Sequence, residues 1–184
     1  QSLEEGYLPI PTVEWDNDNL SFNQKLFSHT AAGNSSVCIW YSLRNKGKSS
    51  VSGKLFLTVR PFQVNPTWMC GGFVEIPNIE CGGDVIKING KNGLVSLEKP
   101  GGSGALSYEE GDVIDAIKNG AVPKKAKAQS VSKFCTAAMS FNFKIKPGQA
   151  KEFMFIVPID EDINNFKPDA DKKAFITAYE QSKN

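Results

Sequence analysis

Gly53-Lys54-Leu55-Phe56-Leu57-Thr58-Val59-Arg60-Pro61-Phe62-Gln63-Val64-Asn65-Pro66-Thr67-Trp68 reads as a β-strand that runs into a shaped loop. Leu55, Leu57 and Val59 alternate with Phe56, Thr58 and Arg60. Period-two spacing with apolar members in both sets predicts a central strand covered at least partly on both faces. Pro61 removes a backbone donor and Pro66 restricts Asn65 to extended backbone, so Arg60, Gln63 and Asn65 are presented on stiff chain. Trp68 lies beyond them. Each has a structural role open to it. Arg60 can satisfy loop carbonyls, Gln63 and Asn65 can hold the turn, and Trp68 can cover the core. No nucleophile with an adjacent base and no obvious carboxylate pair accompanies them.

Upstream, residues 35–43 place Val37, Ile39, Tyr41 and Leu43 on one strand face and Cys38, Trp40 and Ser42 on the other. A polar loop at 44–50 joins this strand to the one at 53–60, which predicts an antiparallel pair of a sandwich. In residues 20–30 the apolar members Leu20, Phe22 and Leu26, with His29, do not alternate cleanly, the pattern of an edge strand or a bulge. Residues 1–19, acidic and with two prolines, read as a surface arm pinned by Trp15.

Downstream, residues 73–76 and 84–88 are short strand candidates, and Asn89-Gly90 followed by Asn92-Gly93 marks a hairpin turn into 94–97. Pro100-Gly101-Gly102-Ser103-Gly104-Ala105 reads as a flexible linker between strands. It lacks the Gly-Lys-Ser/Thr ending of a phosphate loop and the spacing of a dinucleotide fingerprint. Asp112 caps a short helix with Val113, Ile114 and Ile117 on one side, which Asn119-Gly120 stops. Residues 134–145 form a second long strand, predicted to pair as a hairpin with 151–159 through Pro147-Gly148. Pro168-Asp169 introduces a C-terminal helix with Phe175, Ala178 and Tyr179 at helical spacing.

These elements predict an all-β antiparallel sandwich, supersandwich or immunoglobulin-like, with one short internal helix and a C-terminal linker helix. The expected organisation is an arm at 1–19, a single sandwich domain at 20–160 and a helix at 161–184. A chain of 184 residues with 40% hydrophobic content suffices for one well-filled core. The net charge of +1, from 21 basic and 20 acidic residues, supplies no global field for nucleic acid or an anionic membrane. Lys124-Lys125-Ala126-Lys127, with Lys133 beyond, carries no interleaved aromatics and reads as a solvated loop. No apolar run approaches the length of a membrane span. The chain starts at Gln1 rather than Met, as expected of a processed or shortened chain. The last helix reaches Asn184 without a stop signal, as expected if the natural chain runs on into a helical domain.

Cys38 and Cys135 lie in strand patterns, where a free cysteine behaves as a small buried hydrophobe. Cys70 and Cys81 each begin a Cys-Gly-Gly triplet and either close a hairpin-sized loop as a disulfide or stay free, which geometry decides. His29 is the only histidine and there is no Cys-x-x-Cys pair, so neither a metal nor a cofactor is expected.

The run Gly53-x-Leu55-x-Leu57-x-x-Arg60-Pro61-Phe62-Gln63-Val64-Asn65-Pro66, with Ile88-Asn89-Gly90 and Glu110-Gly111-Asp112-Val113, resembles a β-sandwich module of secreted bacterial proteins. In those proteins similar modules precede an α/α toroid of the six-hairpin glycosidase kind. The resemblance covers most of residues 20–160. It implies a supersandwich-like domain in an exported carbohydrate-processing protein, periplasmic or extracellular, whose partner is a helical domain of the same natural chain. It brings no catalytic residue, because the acid and base of such architectures usually belong to the helical domain. The expected function is a non-catalytic accessory domain that supports the catalytic domain or borders its glycan cleft through Arg60, Gln63, Asn65 and Trp68. The alternative is a free-standing carbohydrate-binding or adhesion module, which predicts an exposed aromatic platform built from Trp15, Trp40 or Trp68. A hydrolase in its own right needs two carboxyl groups across a cleft. Glu75, Glu80, Asp84, Glu109, Glu110 and Asp112 supply candidates without a pattern, and turns and helix caps account for them.

Overall fold

The computed structural model describes residues 1–31, 34–61, 68, 72, 74–159 and 168–183. In chain order the strands are β1 (Ser2–Glu4), β2 (Leu8–Asp16), β3 (Leu20–Ala31), β4 (Asn34–Asn45), β5 (Val51–Val59) and β6 (Asn78–Gly82). They continue with β7 (Val85–Ile88), β8 (Lys91–Ser96), β9 (Gly102–Leu106), β10 (Lys127–Gln129), β11 (Thr136–Ile145) and β12 (Ala150–Pro158). Two α-helices join them, α1 (Val113–Lys118) and α2 (Pro168–Gln181). The fold is all-β and antiparallel, as the alternating patterns predict. Its residues fall into two compact units, one of Gln1–Gly53, Leu94–Lys99 and Phe143–Asn184, the other of Lys54–Gly93 and Pro100–Asn142.

The first unit is a sheet in the order β1-β2-β3-β4-β12, with Val95 and Ser96 of β8 paired to Ile156 and Phe155. The expected arm is two strands. Leu8, Ile10 and Thr12 alternate inward along β2, where they are buried. The expected edge strand is interior, paired with β4 from Leu20↔Asn45 to Ala31↔Asn34 without a slip. Its apolar pattern is broken because its two faces are covered by different things. Phe22 packs against Trp15 and Tyr41, while Phe27 lies under α2.

Two of the expected strand pairings do not form. β4 pairs with β3 and β12 rather than β5, and β12 pairs with β4 and β8 rather than β11. Asn45 ties the ends of these strands together. Its fully buried amide donates to the Ser49 and Ile145 carbonyls at 2.8 and 2.9 Å, and its backbone N–H donates to Gln149 O at 2.9 Å. The chain leaving the Pro147-Gly148 turn is thereby laid beside the end of β4.

The C-terminal helix is a packed cover rather than a bare linker. Phe175, Ala178 and Tyr179 are buried. Phe175 meets Phe27 edge-on at 5.1 Å, and Tyr179 meets Trp40 at 5.1 Å and 87°. Perpendicular ring pairs of this kind contribute about 0.5–1.5 kcal/mol each beyond the area they bury.

The second unit carries the sheet β5-β11-β9, with β7-β6-β10 as its other strands and β9 lying against β6 and β10. The strand expected to be central, β5, is an edge. The middle position belongs to β11, buried on both faces from Thr136 to Phe141. The expected glycine linker is itself a strand, β9, paired with β11 from Gly102↔Ser140 to Leu106↔Thr136. Its glycines serve close approach. A Cβ on Gly104 would stand 1.7 Å from the Pro123 carbonyl oxygen, and Ala105 N donates to Lys125 O one step further on.

Asn89 and Gly90 both take positive φ, 52° and 83°, as a type I′ turn requires, and lead from β7 into β8 as predicted. Of the strand candidate at 73–76, residue 73 lies outside the described residues and Ile76 makes only an isolated bridge to Phe134. Cys81 lies in β6, buried and free, so it is not in a disulfide; Cys70 lies outside the described residues. Cys38 and Cys135 are buried free thiols too. The basic run is partly strand, with Lys125 and Lys127 paired to Glu110 and Glu80. Among the described residues, no helix is long and apolar enough to cross a membrane.

Candidate functional site

An open cleft of about 630 Å³ lies in the second unit, lined among others by Arg60, Tyr108, Asp112, Ser132, Phe134 and Thr136. Arg60 follows the last residue of β5, where Pro61 prevents further pairing. Asp112 stands opposite, at the start of α1. One carboxylate oxygen caps the helix by accepting from Ile114 N at 2.9 Å, and the other accepts from the Arg60 guanidinium at 2.8 Å. Both side chains are about half exposed, so the pair adds at most about 1 kcal/mol to stability. Its consequence is positional, because the guanidinium plane is fixed at the cleft wall.

The Tyr108 side of the cleft is built by a single 3-10 turn, Tyr108–Glu110. Ser107 and Glu110 have capping-box spacing, and the Glu110 carboxylate accepts from the Ser107 N–H and hydroxyl. Glu109 accepts from Ser130 Oγ at 3.1 Å and from Ser132 N at 3.0 Å, tying the turn to the loop that supplies Ser132. Gly111, at φ 125°, lets the chain pass from this turn directly into α1. Tyr108 is 65% exposed, with its ring set edge-on to Phe134 at 6.2 Å. Thr136 sits at the start of β11. Its hydroxyl is buried and has no hydrogen-bond partner among the described residues.

The electrostatics of the bordering carboxylates are those of acceptors. The backbone N–H of Ser132, with further hydrogen bonds, pulls the Glu109 carboxyl down to about 2. Lys125 and then the Ser107 N–H lower Glu110. A glycosidase acid needs the opposite shift, a carboxyl held protonated near neutral pH. The cleft therefore offers a planar cation, a paired carboxylate, an exposed aromatic ring and the exposed Ser132. These groups can donate and accept hydrogen bonds beside an apolar ring face.

Of the residues picked from sequence, Arg60 is in this cleft. Trp68 is 82% exposed, and Gln63 and Asn65 lie outside the described residues. Sequence reasoning missed Tyr108, Ser132, Phe134 and Thr136, and read Asp112 only as a cap or a loose carboxylate. Ser107-x-x-Glu110 immediately before Gly111-Asp112 was the available signal, since it fixes a tight turn with its aromatic residue turned outward. Among the described residues, no group of His, Cys, Asp or Glu side chains could hold a metal ion. No protein-family model matches the chain, and no curated protein matches it.

Proposed function

We propose that this chain is a non-catalytic accessory β-sandwich of a larger secreted carbohydrate-active protein, and that the Arg60 cleft holds or borders the glycan. The observation that carries this reading is the cleft itself. A guanidinium fixed by Asp112 stands with an outward-facing Tyr108, and the neighbouring Glu109 and Glu110 are drawn toward the ionised form that cannot donate a proton. Planar hydrogen-bonding groups beside an aromatic face suit sugar hydroxyls and the apolar face of a pyranose ring. In this reading the acid and base of hydrolysis belong to a helical domain of the same natural chain, in the periplasm or outside the cell.

The test is titration calorimetry of the chain with neutral and acidic oligosaccharides, repeated on Arg60→Ala/Tyr108→Ala. Weakened binding with an unchanged melting temperature supports the cleft as the site. Binding unaffected by the double substitution removes it.

A second reading, a free-standing carbohydrate-binding module, is favoured by the exposure of two of the three tryptophans. Trp68 is exposed and Trp15 is 64% exposed, stacked on Phe22 at 5.3 Å and 19°, whereas Trp40 is covered by α2. Trp15→Ala separates the two, since it weakens glycan binding only if the Trp15 ring is the platform.

A further inference from the structure

The face of the first unit's sheet that α2 covers changes character along its strands. Under the helix, one row across β3, β4 and β12 is Phe27, Cys38 and Ile156, all buried. Two residues along, the row is Lys25, Trp40 and Met154. Two further, the register sets Glu14, Asn23, Ser42 and Glu152 side by side across β2, β3, β4 and β12. Cross-strand neighbours stand about 4.5–5.5 Å apart at Cβ. A carboxylate, an amide, a hydroxyl and a second carboxylate therefore form a continuous polar row on a rigid floor. A hollow of about 300 Å³ lies on this floor, walled by Trp40 and Tyr179. A second hollow, about 380 Å³, runs between β12 and α2 and shares Glu152 with the first.

The lysines around these hollows are all held by carboxylates. Lys25 donates to Glu4 at 2.7 Å and to the Tyr179 hydroxyl at 2.9 Å. Lys151 and Lys172 both pair with Glu98. With Glu152, the second hollow's lining carries two cations and two carboxylates, and in the first the one lysine is already held by Glu4, so neither lining has an excess of cations for a phosphate, a sulfate or a uronate. The Ser42 hydroxyl and the Glu152 carboxylate have no partner among the described residues, and the Trp40 indole N–H is buried without one. What remains is a row rich in acceptors beside an aromatic wall, without net positive charge. An uncharged, donor-rich ring system suits that combination, since its hydroxyls donate to the row and its apolar face meets the rings.

We propose that the groove beside α2 is a second saccharide site, which takes a neutral sugar chain across Asn23, Ser42 and Glu152 against Trp40 and Tyr179. It rests on the saccharide reading of the chain but not on the Arg60 cleft. The experiment is titration of the chain with cellohexaose, xylohexaose, mannohexaose, laminarihexaose and, as the charged probe, hexagalacturonate. Asn23→Ala/Glu152→Ala is compared with Arg60→Ala/Tyr108→Ala, and binding is mapped by the amide shifts of Ser42 and Glu152.

A neutral hexasaccharide is expected to move those shifts, and Asn23→Ala/Glu152→Ala to weaken its binding about tenfold at an unchanged melting temperature. Retained affinity in that variant, with loss in Arg60→Ala/Tyr108→Ala, overturns the groove and leaves the cleft standing. The reverse result supports the groove and removes the cleft. Tighter binding of hexagalacturonate at the groove overturns the neutral assignment. A chain that binds none of the five probes overturns both sites.

Discussion

The two units cover their sheets by opposite means. In the first, large rings are inserted between sheet and helix, with Phe27 and Trp40 from below and Phe175 and Tyr179 from α2. In the second, backbone meets backbone. The strands β9 and β11 present Gly102, Gly104, Ala105, Ala137 and Ala138, and the Pro123 carbonyl sits where a Gly104 side chain would begin. One unit is held by volume that can be taken away. The other is held by closeness that any added atom disturbs.

The comparison breaks most sharply at Phe175. Phe175→Ala removes a buried ring that touches both Phe27 and Trp40, and the cost is expected at about 3–5 kcal/mol in a urea unfolding curve. A cost below about 1 kcal/mol means that α2 is not the cover of this sheet. The converse test lies at Gly104, where the smallest enlargement is expected to destabilise by about 1–3 kcal/mol or more, because the obstructing atom is backbone and cannot rotate away. If Gly104→Ala is tolerated, Pro123 yields readily and the second unit is not closely packed there.

The same difference explains what could be read from the residues alone. Phe175, Ala178 and Tyr179 announced a buried helix face because ring burial leaves a 3.6-residue period. Asn89-Gly90 and Asp112 announced their turn and cap because local backbone geometry dictates the residue type. Packing by closeness leaves no such mark. Gly101, Gly102 and Gly104 satisfy a flexible linker and a crowded strand equally well, and residues well along the chain, Asn142, Val122 and Pro123 respectively, decide between them. The strand partners of β4 and β12 were misassigned for a related reason. Sequence neighbours are the local choice of partner, and here the nine-residue ladder of β12 on β4, closed at one end by the buried Asn45 amide, takes its place. The cleft was legible at Arg60 and illegible at Tyr108, Ser132 and Phe134, since the turn that carries Tyr108 is tied to the loop at Ser132 by hydrogen bonds of Glu109 to Ser130 and Ser132, 21 and 23 residues along the chain.

A smaller effect is expected at Asp112, which serves a helix of only six residues. Asp112→Ala removes the acceptor for Ile114 N and should cost about 1 kcal/mol, as the loss of a single N-cap does. It also frees the Arg60 guanidinium. Asp112→Asn keeps a cap but weakens the hold on Arg60. Comparing the two variants' affinity for the glycan proposed for the cleft therefore separates helix stability from the setting of the cleft wall. Equal affinities in Asp112→Asn and the unaltered chain indicate that the ion pair does not position Arg60.

The smallest effect expected is one of pH, and it tests how the helix cover is fastened in the first unit. Burial opposes the charge on Glu4, but hydrogen bonds from Lys25 and Tyr179 outweigh it and hold the carboxyl below its ordinary value of 4.5. A carboxyl lowered on folding contributes stability that is fully present above the unfolded value and is lost as pH falls through the folded one. The melting temperature of the unaltered chain should therefore decline below about pH 4.5 more steeply than that of Glu4→Gln, which carries no titrating group there. The difference between them near neutral pH should be modest, about 1 kcal/mol or less for one partly exposed pair. Glu109 and Glu110 also titrate in acid, but they are common to both proteins, so the difference between the two curves isolates Glu4. Parallel curves would mean that ring packing alone, without the Glu4, Lys25 and Tyr179 hydrogen bonds, keeps α2 on the sheet.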